Sequence, residues 1–341
     1  MQLGLVLSTA VNAIAPIVLL ILFGYWLRSK GFLSAEFVKV GSKFVFHVCL
    51  TSSLFVNVYN ITDLSSISWE FIGYVIAITL VLFGLGFIST LGTTKLRQRR
   101  GVVLQCVFRS NFAIIGLSLA TTLGGDDAAA IASLVSAFIL PLYNILGVIA
   151  LSMFADDAQS SGHHIKPVLR SIAKNPMVVG AALGLVCLLV RELQTALWGE
   201  SLFSIKRDLP FFYTAINNIK SMTTPLALIV LGAQFQFSAV KGMFKEIVVG
   251  TAWRIVLAPM VGVGCAILLD KYGVISCGVG EYATLIALFG SPSAVSSAVM
   301  AGQMGGDEQL ATQLVVWTSL GAVVTIFLQV CILIATGFLA V

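Results

Sequence analysis

Two short polar stretches interrupt apolar runs that are otherwise long enough to be helices. Arg109-Ser110-Asn111-Phe112 lies inside the run 101–123, and Gly290-Ser291-Pro292-Ser293 lies inside 274–304. A helix broken in the middle of an apolar run leaves the first backbone N–H groups of its second half without intrahelical partners. Such an end carries a partial positive charge and binds anions without needing a dedicated cation. Ser110, Asn111, Ser291 and Ser293 add short donors and acceptors beside those ends, and Pro292 enforces the second break. The chemistry this pattern offers is recognition of a small anion rather than bond making or breaking.

Other polar groups belong with the breaks. Lys43, His47, Arg109, Lys220 and Arg254 fall near the middle of apolar segments, with no Asp or Glu at that depth. Glu281 sits nearer the end of its segment, about ten residues or ~15 Å from the break at helical rise. A positive set with no internal counter-charge favours an anionic guest, because a buried charge needs a partner. Arg109, beside the first break, and Lys220, facing the weaker Thr223-Thr224-Pro225 interruption, are the candidates for that role. Lys43 and Arg254 read instead as long side chains that snorkel or bond backbone carbonyls. His47 falls near the depth of Lys220 and has a titration range suited to carrying a proton. Asn144 is a polar group that either closes the site or bonds a neighbouring helix.

The elements that must position these residues are apolar helices. Of 341 residues, 58% are hydrophobic and only 10% charged. Mean hydropathy is +1.00. Soluble domains carry roughly a quarter charged residues, so the composition describes a membrane protein. Ten segments have the length and apolarity of spans: 4–27, 36–58, 69–91, 101–123, 128–154, 175–191, 210–235, 247–269, 273–304 and 309–339. Their continuous apolar character excludes barrel strands, which alternate. The first segment is too long for a cleaved leader and reads as the first span. Six cysteines are scattered singly, which points to neither a metal site nor a disulfide framework. His163-His164 is too isolated for a metal site, and no cofactor is indicated.

Basic residues set the orientation. Arg28 and Lys30, then Lys95, Arg97, Arg99 and Arg100, then Lys166, Arg170 and Lys174, then Lys241 and Lys245 occupy alternate loops. The positive-inside rule puts those loops in the cytosol and both termini outside. The net charge of +5 therefore reports topology and not a nucleic-acid partner. The two halves also match. A shift of 181 carries Ser110 onto Ser291, Asn111 onto Pro292, and Gly124-Gly125-Asp126-Asp127 onto Gly305-Gly306-Asp307-Glu308. A shift of 160 carries 16–24 onto 176–184, and a shift of 172 carries Thr51 and Leu54 onto Thr223 and Leu226. Five spans per half is odd, so the second copy is inverted. The expected fold is all-α integral membrane: a first five-helix repeat over 1–155, a cytosolic linker over 156–174, and a second, inverted repeat over 175–341. The Gly-Gly-Asp pairs read as tight turns with helix N-caps.

Five motifs in order, RSNFAIIGLSLA, LPLYNILGV, KNPMVVGAALGL, TTPLALIVLGAQF and SPSAVSSAVMAGQMGGDEQLATQLVVWTS, resemble the auxin efflux carrier family over essentially the whole chain. That family includes plant PIN proteins and bacterial permeases for malate and related organic acids. The resemblance implies ten helices, a scaffold set and a mobile transport set. It also implies that broken helices four and nine cross where an anionic carboxylate binds. It assigns the crossover asparagine to Asn111 and the crossover proline to Pro292, and it implies a homodimer. Ser291 and Ser293 flank Pro292 where PIN proteins have an asparagine, a departure that argues against auxin itself.

The expectation is a plasma-membrane carrier of small mono- or dicarboxylates, malate-like, working by alternating access in the manner of a bacterial inner-membrane permease, with a proton as candidate coupling ion. Two alternatives share the architecture: a sensor that binds the anion without moving it, and a sodium-coupled carrier. An intramembrane enzyme is disfavoured, since the chain offers no acid pair or Ser–His arrangement at catalytic spacing.

Overall fold

The computed structural model describes residues 2–60, 68–154, 175–199 and 201–339. In an apolar solvent every backbone group must bond within its own segment, and the chain responds with helices throughout. They are α1 (Gln2–Ser29), α2 (Ala35–Phe44) and α3 (Leu50–Tyr59), α4 (Trp69–Thr93), α5 (Arg97–Phe108), α6 (Leu117–Met153), α7 (Pro176–Trp198), α8 (Ile205–Asp208) and α9 (Pro210–Gln234). They continue with α10 (Phe244–Ala252), α11 (Ala258–Lys271), α12 (Val279–Gly290), α13 (Val295–Gln303) and α14 (Glu308–Ala335). Single π-turns at Val45–Cys49 and Trp253–Leu257 join α2 to α3 and α10 to α11. A third, Phe112–Gly116, leads into α6. Side-chain caps start several helices: Ser34 accepts from Phe37 N–H, Ser68 from Phe71, Asn175 from Met177 and Asp307 from Leu310.

Among the described residues, five stretches are each long and apolar enough to cross a membrane: Trp69–Thr93, Leu119–Met153, Pro176–Trp198, Ser238–Lys271 and Glu308–Ala335. The chain is therefore a multi-pass membrane protein. The remaining expected spans fall short for identifiable reasons. Breaks divide the fourth and ninth into pieces, and α9 carries Lys220 and its Ser and Thr neighbours.

α6 holds the second half of the fourth segment and the fifth segment, and between them Gly125 (φ 67°, ψ −153°) leaves helical geometry at the expected Gly-Gly-Asp turn, in a region only glycine adopts freely. Most of the expected boundaries reappear, with one difference. The Thr223-Thr224-Pro225 stretch does not interrupt α9, which runs on as helix through Pro225. Thr223 instead donates to Cys49 O at 3.1 Å. The second Gly-Gly-Asp pair behaves as expected, with Gly305 at φ 76° and Asp307 capping α14. The linker 156–174, including His163-His164, Lys166, Arg170 and Lys174, lies outside the described residues, as does most of the loop 59–68.

The helices sort into two groups, bridged where α1 also packs along α14. α1 packs along α9, and α3 packs along both α7 and α9. In the other group α12 packs against α6, α4 against α5, and α14 against α10 and α13. Small residues allow the close approach within the first group. A Cβ added to Gly24 would run into Ile229 O, and one added to Gly232 would run into Ile21 O. Gly180 and Gly184 of α7 sit in the same way on Thr51 and Phe55 of α3. A cavity with polar walls lies where the two groups meet.

Candidate functional site

Both breaks meet. At the end of α5 the chain turns extended at Arg109 (φ −92°, ψ 104°). At the end of α12 it does the same at Ser291 (φ −62°, ψ 147°), and Ala294 (φ −65°, ψ 133°) opens α13. The two extended stretches lie antiparallel with Ser110 opposite Ser293. Asn111 N–H donates to Pro292 O at 2.7 Å, and Ala294 N–H donates to Arg109 O at 3.3 Å. Backbone groups freed by breaking two helices thus satisfy each other, which is how a polar crossing survives at membrane depth. The pairing is offset two residues from the sequence match, which set Ser110 against Ser291. A ladder is fixed by hydrogen-bond geometry and not by side-chain likeness.

A cavity of about 440 Å³ opens beside this crossing. It is walled by three helical stripes at i, i+3, i+4 spacing: Leu50, Ser53, Leu54 and Asn57 on α3; Lys220, Thr223, Thr224 and Ala227 on α9; Ala132, Ser136, Leu140, Tyr143 and Asn144 on α6. Arg109, Ser110, Asn111 and Ala113 complete it from the first break, and Ala294, Val295 and Ser296 from the start of α13. Among the described residues no Asp or Glu lines it.

Arg109 is the charged centre, buried to 3% exposure. Its Nη2 donates to Asn144 Oδ1 at 2.6 Å and to Ser296 Oγ at 2.8 Å. Its Nη1 lies against Met300 Sδ. With the Gln105 amide turned to suit its neighbours, its oxygen accepts from Nη1 at 3.0 Å. Every one of these partners is neutral. Asn111 is 4% exposed, and its Nδ2 has no hydrogen-bond partner among the described residues. An unpaired buried amide donor costs roughly 1–3 kcal/mol, a cost that an acceptor in the cavity would remove. Lys220 approaches from α9 on the opposite wall. Pro225 cannot donate to the carbonyl one turn earlier, so Ser221, also lining the cavity, keeps a free acceptor.

The residues singled out from sequence therefore divide. Arg109, Ser110, Asn111, Asn144 and Lys220 line one cavity. Ser291, Pro292 and Ser293 stand behind it as framework: Ser291 Oγ donates to Ala287 O, Pro292 O receives Asn111, and Ser293 N–H donates to Thr318 Oγ1 at 3.0 Å. His47 lies apart, exposed on the outer face with Nδ1 3.0 Å from Lys43 O. Sequence reasoning missed Ser53, Asn57, Ser136, Tyr143 and Ser296. The first three were legible as polar members of otherwise apolar helical stripes. Ser296 was hidden inside the second polar run.

A family of membrane transport proteins, the auxin efflux carrier family, matches this chain over residues 9–330. The chain belongs to that family. An uncharacterized transporter of Methanocaldococcus jannaschii is 21% identical over 295 residues, covering 85% of this chain and 87% of its own length. A fold alone does not specify a substrate, so a reading of function has to be argued from the cavity and its residues.

Proposed function

We propose that this protein is a secondary carrier of small organic anions that binds a carboxylate at the crossing of its two broken helices. The observation that carries the reading is a cavity holding two cations, an unpartnered amide donor and no carboxylate. A carboxylate seated there accepts from Asn111 Nδ2 and from the free N–H groups that open the π-turn at Phe112 and α13. Arg109 supplies a buried positive charge, and Lys220 adds positive potential from the other wall. Mono- and dicarboxylates of malate size suit the volume. A bound cation would meet Arg109 with no acid to offset it, which counts against a sodium site in this cavity.

In this reading the chain makes ten passages, as two five-helix repeats (1–155 and 175–341) joined by a cytosolic linker. The support is reciprocal packing: Gly24 of α1 sits on the backbone of α9, and its repeat mate Gly184 of α7 sits on α3. The group containing α1, α3, α7 and α9 acts as the scaffold, and the group carrying the crossing moves against it to expose the cavity to either face in turn. The carrier sits in the plasma membrane as a homodimer with both termini outside.

Carboxylate binding is tested by thermal unfolding of the detergent-purified protein across a panel of mono- and dicarboxylates. The midpoint rises with concentration for at least one anion, as any ligand of the folded state requires. Asn111→Ala loses that rise while unfolding at the parent midpoint in the absence of ligand. No rise with any carboxylate would remove the basis for the reading.

A further inference from the structure

The other buried arginine, Arg254, does not line the cavity and is completely enclosed (0% exposed). It projects from the π-turn Trp253–Leu257 between α10 and α11. Its Nη1 donates to Val107 O at 2.9 Å, and its Nη2 donates to Phe289 O. Val107 is in the last turn of α5, and Phe289 is in the last turn of α12. Those turns carry the orphan carbonyls and partial negative charges of both half-helices that end at the crossing. Two negative helix ends brought together repel and leave acceptors unpaired. One planar guanidinium with forked donors reaches both. Among the described residues no carboxylate pairs with Arg254.

We infer that Arg254 is the positioning residue of the anion site: a single guanidinium that clamps the C-terminal ends of both half-helices and thereby sets the register of the crossing. This deepens the reading above by naming what holds its geometry. Arg254 acts through others and touches no substrate. Its charge is used by the helix ends, so the cavity's potential comes from Arg109 and Lys220 alone. Because one residue grips both breaks, the crossing moves as a unit when its helix group shifts. The π-turn fits this role, since π-turns inside helices often mark functional positions, and this one sits where Arg254 meets both helix ends.

Cross-linking of the crossing reads the register without reference to transport. Ser110 and Ser293 are opposed as a non-hydrogen-bonded antiparallel pair, for which Cα atoms lie about 4.5 Å apart, within disulfide range. Ser110→Cys and Ser293→Cys are placed together in a background lacking the six native cysteines, and iodine serves as oxidant. The parent pair closes a disulfide. Adding Arg254→Met, which keeps volume but removes both donors and the charge, slows closure at least fivefold, and Arg254→Lys restores it in part. Tyr74→Phe serves as control, because the Tyr74 hydroxyl bonds Gly262 O in α11 and its loss destabilises the same helix group without touching the crossing. That variant closes at the parent rate. Parent-rate closure in folded Arg254→Met protein would overturn the inference, as would equal slowing in Tyr74→Phe. Where Arg254→Met does not fold, Arg254→Lys decides: slowed closure supports the clamp and parent-rate closure overturns it. Failure of the parent to exchange anions would sink the carrier reading and leave the cross-linking result standing.

Discussion

Arg109 is held by an amide oxygen, a hydroxyl and a second amide, and by no acid. Removing a guanidinium from such a nest costs the anion its strongest attraction and leaves Asn144 and Ser296 without a donor. Arg109→Gln therefore weakens anion affinity by about a hundredfold, or about 2.7 kcal/mol, through the loss of a buried positive charge beside the bound anion. Arg109→Lys keeps the charge but loses the fork and weakens affinity about tenfold. Lys220 is different in kind, a flexible cation on the opposite wall. Lys220→Met raises the half-saturating concentration about fivefold, more for dicarboxylates than monocarboxylates, and leaves the maximal exchange rate near the parent value. Titration of the anion against each variant, read as a thermal shift and as half-saturation of exchange, checks all three.

At the scale of helices the argument rests on close packing. Gly24→Val and Gly232→Val each drive a side chain into the backbone of the partner helix, α9 or α1. Each lowers stability by about 2–3 kcal/mol, the usual cost of overpacking, and appears as a lower unfolding midpoint in detergent. Gly73→Ala, with open space beside it, leaves the midpoint unchanged. This level was partly legible in the sequence. The breaks stood out because Arg109-Ser110-Asn111 and Ser291-Pro292-Ser293 are polar islands in apolar runs. The proposed repeat was suggested by the motif that Gly24 and Gly184 share. Bonding to backbone carbonyls was one reading of Arg254, but which carbonyls it meets could not be read. Val107 and Phe289 present the same backbone as any other residue, and only the fold brings them to one guanidinium. Pro225 misled for a related reason: a proline at membrane depth signals an interruption, yet here the helix continues through it. His47 misled because periodicity gives depth but not which face of the helix a side chain occupies.

Over the whole molecule, the two helix groups touch on one side of the cavity through amides. Gln234 Nε2 donates to Glu308 Oε1 at 2.7 Å, Gln309 Nε2 to Gln234 O at 2.9 Å, and Gln313 Nε2 to Gln236 O at 2.8 Å. These contacts join the end of α9 to the start of α14, near Lys241 and Lys245. In an alternating-access carrier this seam parts when the cavity opens to that face. Gln234→Leu combined with Gln313→Leu biases the carrier toward that open form. A cysteine introduced at Ala113, which is exposed in the cavity, then reacts at least about threefold faster with an impermeant maleimide added from the Lys241 side. The central claim, an anion carried through the crossing, is tested most directly by counterflow. Purified protein is reconstituted into liposomes loaded with excess unlabelled malate or another carboxylate, and uptake of the labelled anion is followed with no ion gradient imposed. Saturable, transient accumulation that is competed by other carboxylates and abolished in Asn111→Ala is the predicted result. Full exchange in Asn111→Ala, or no exchange across a carboxylate panel by folded protein that still binds one of them, would contradict it.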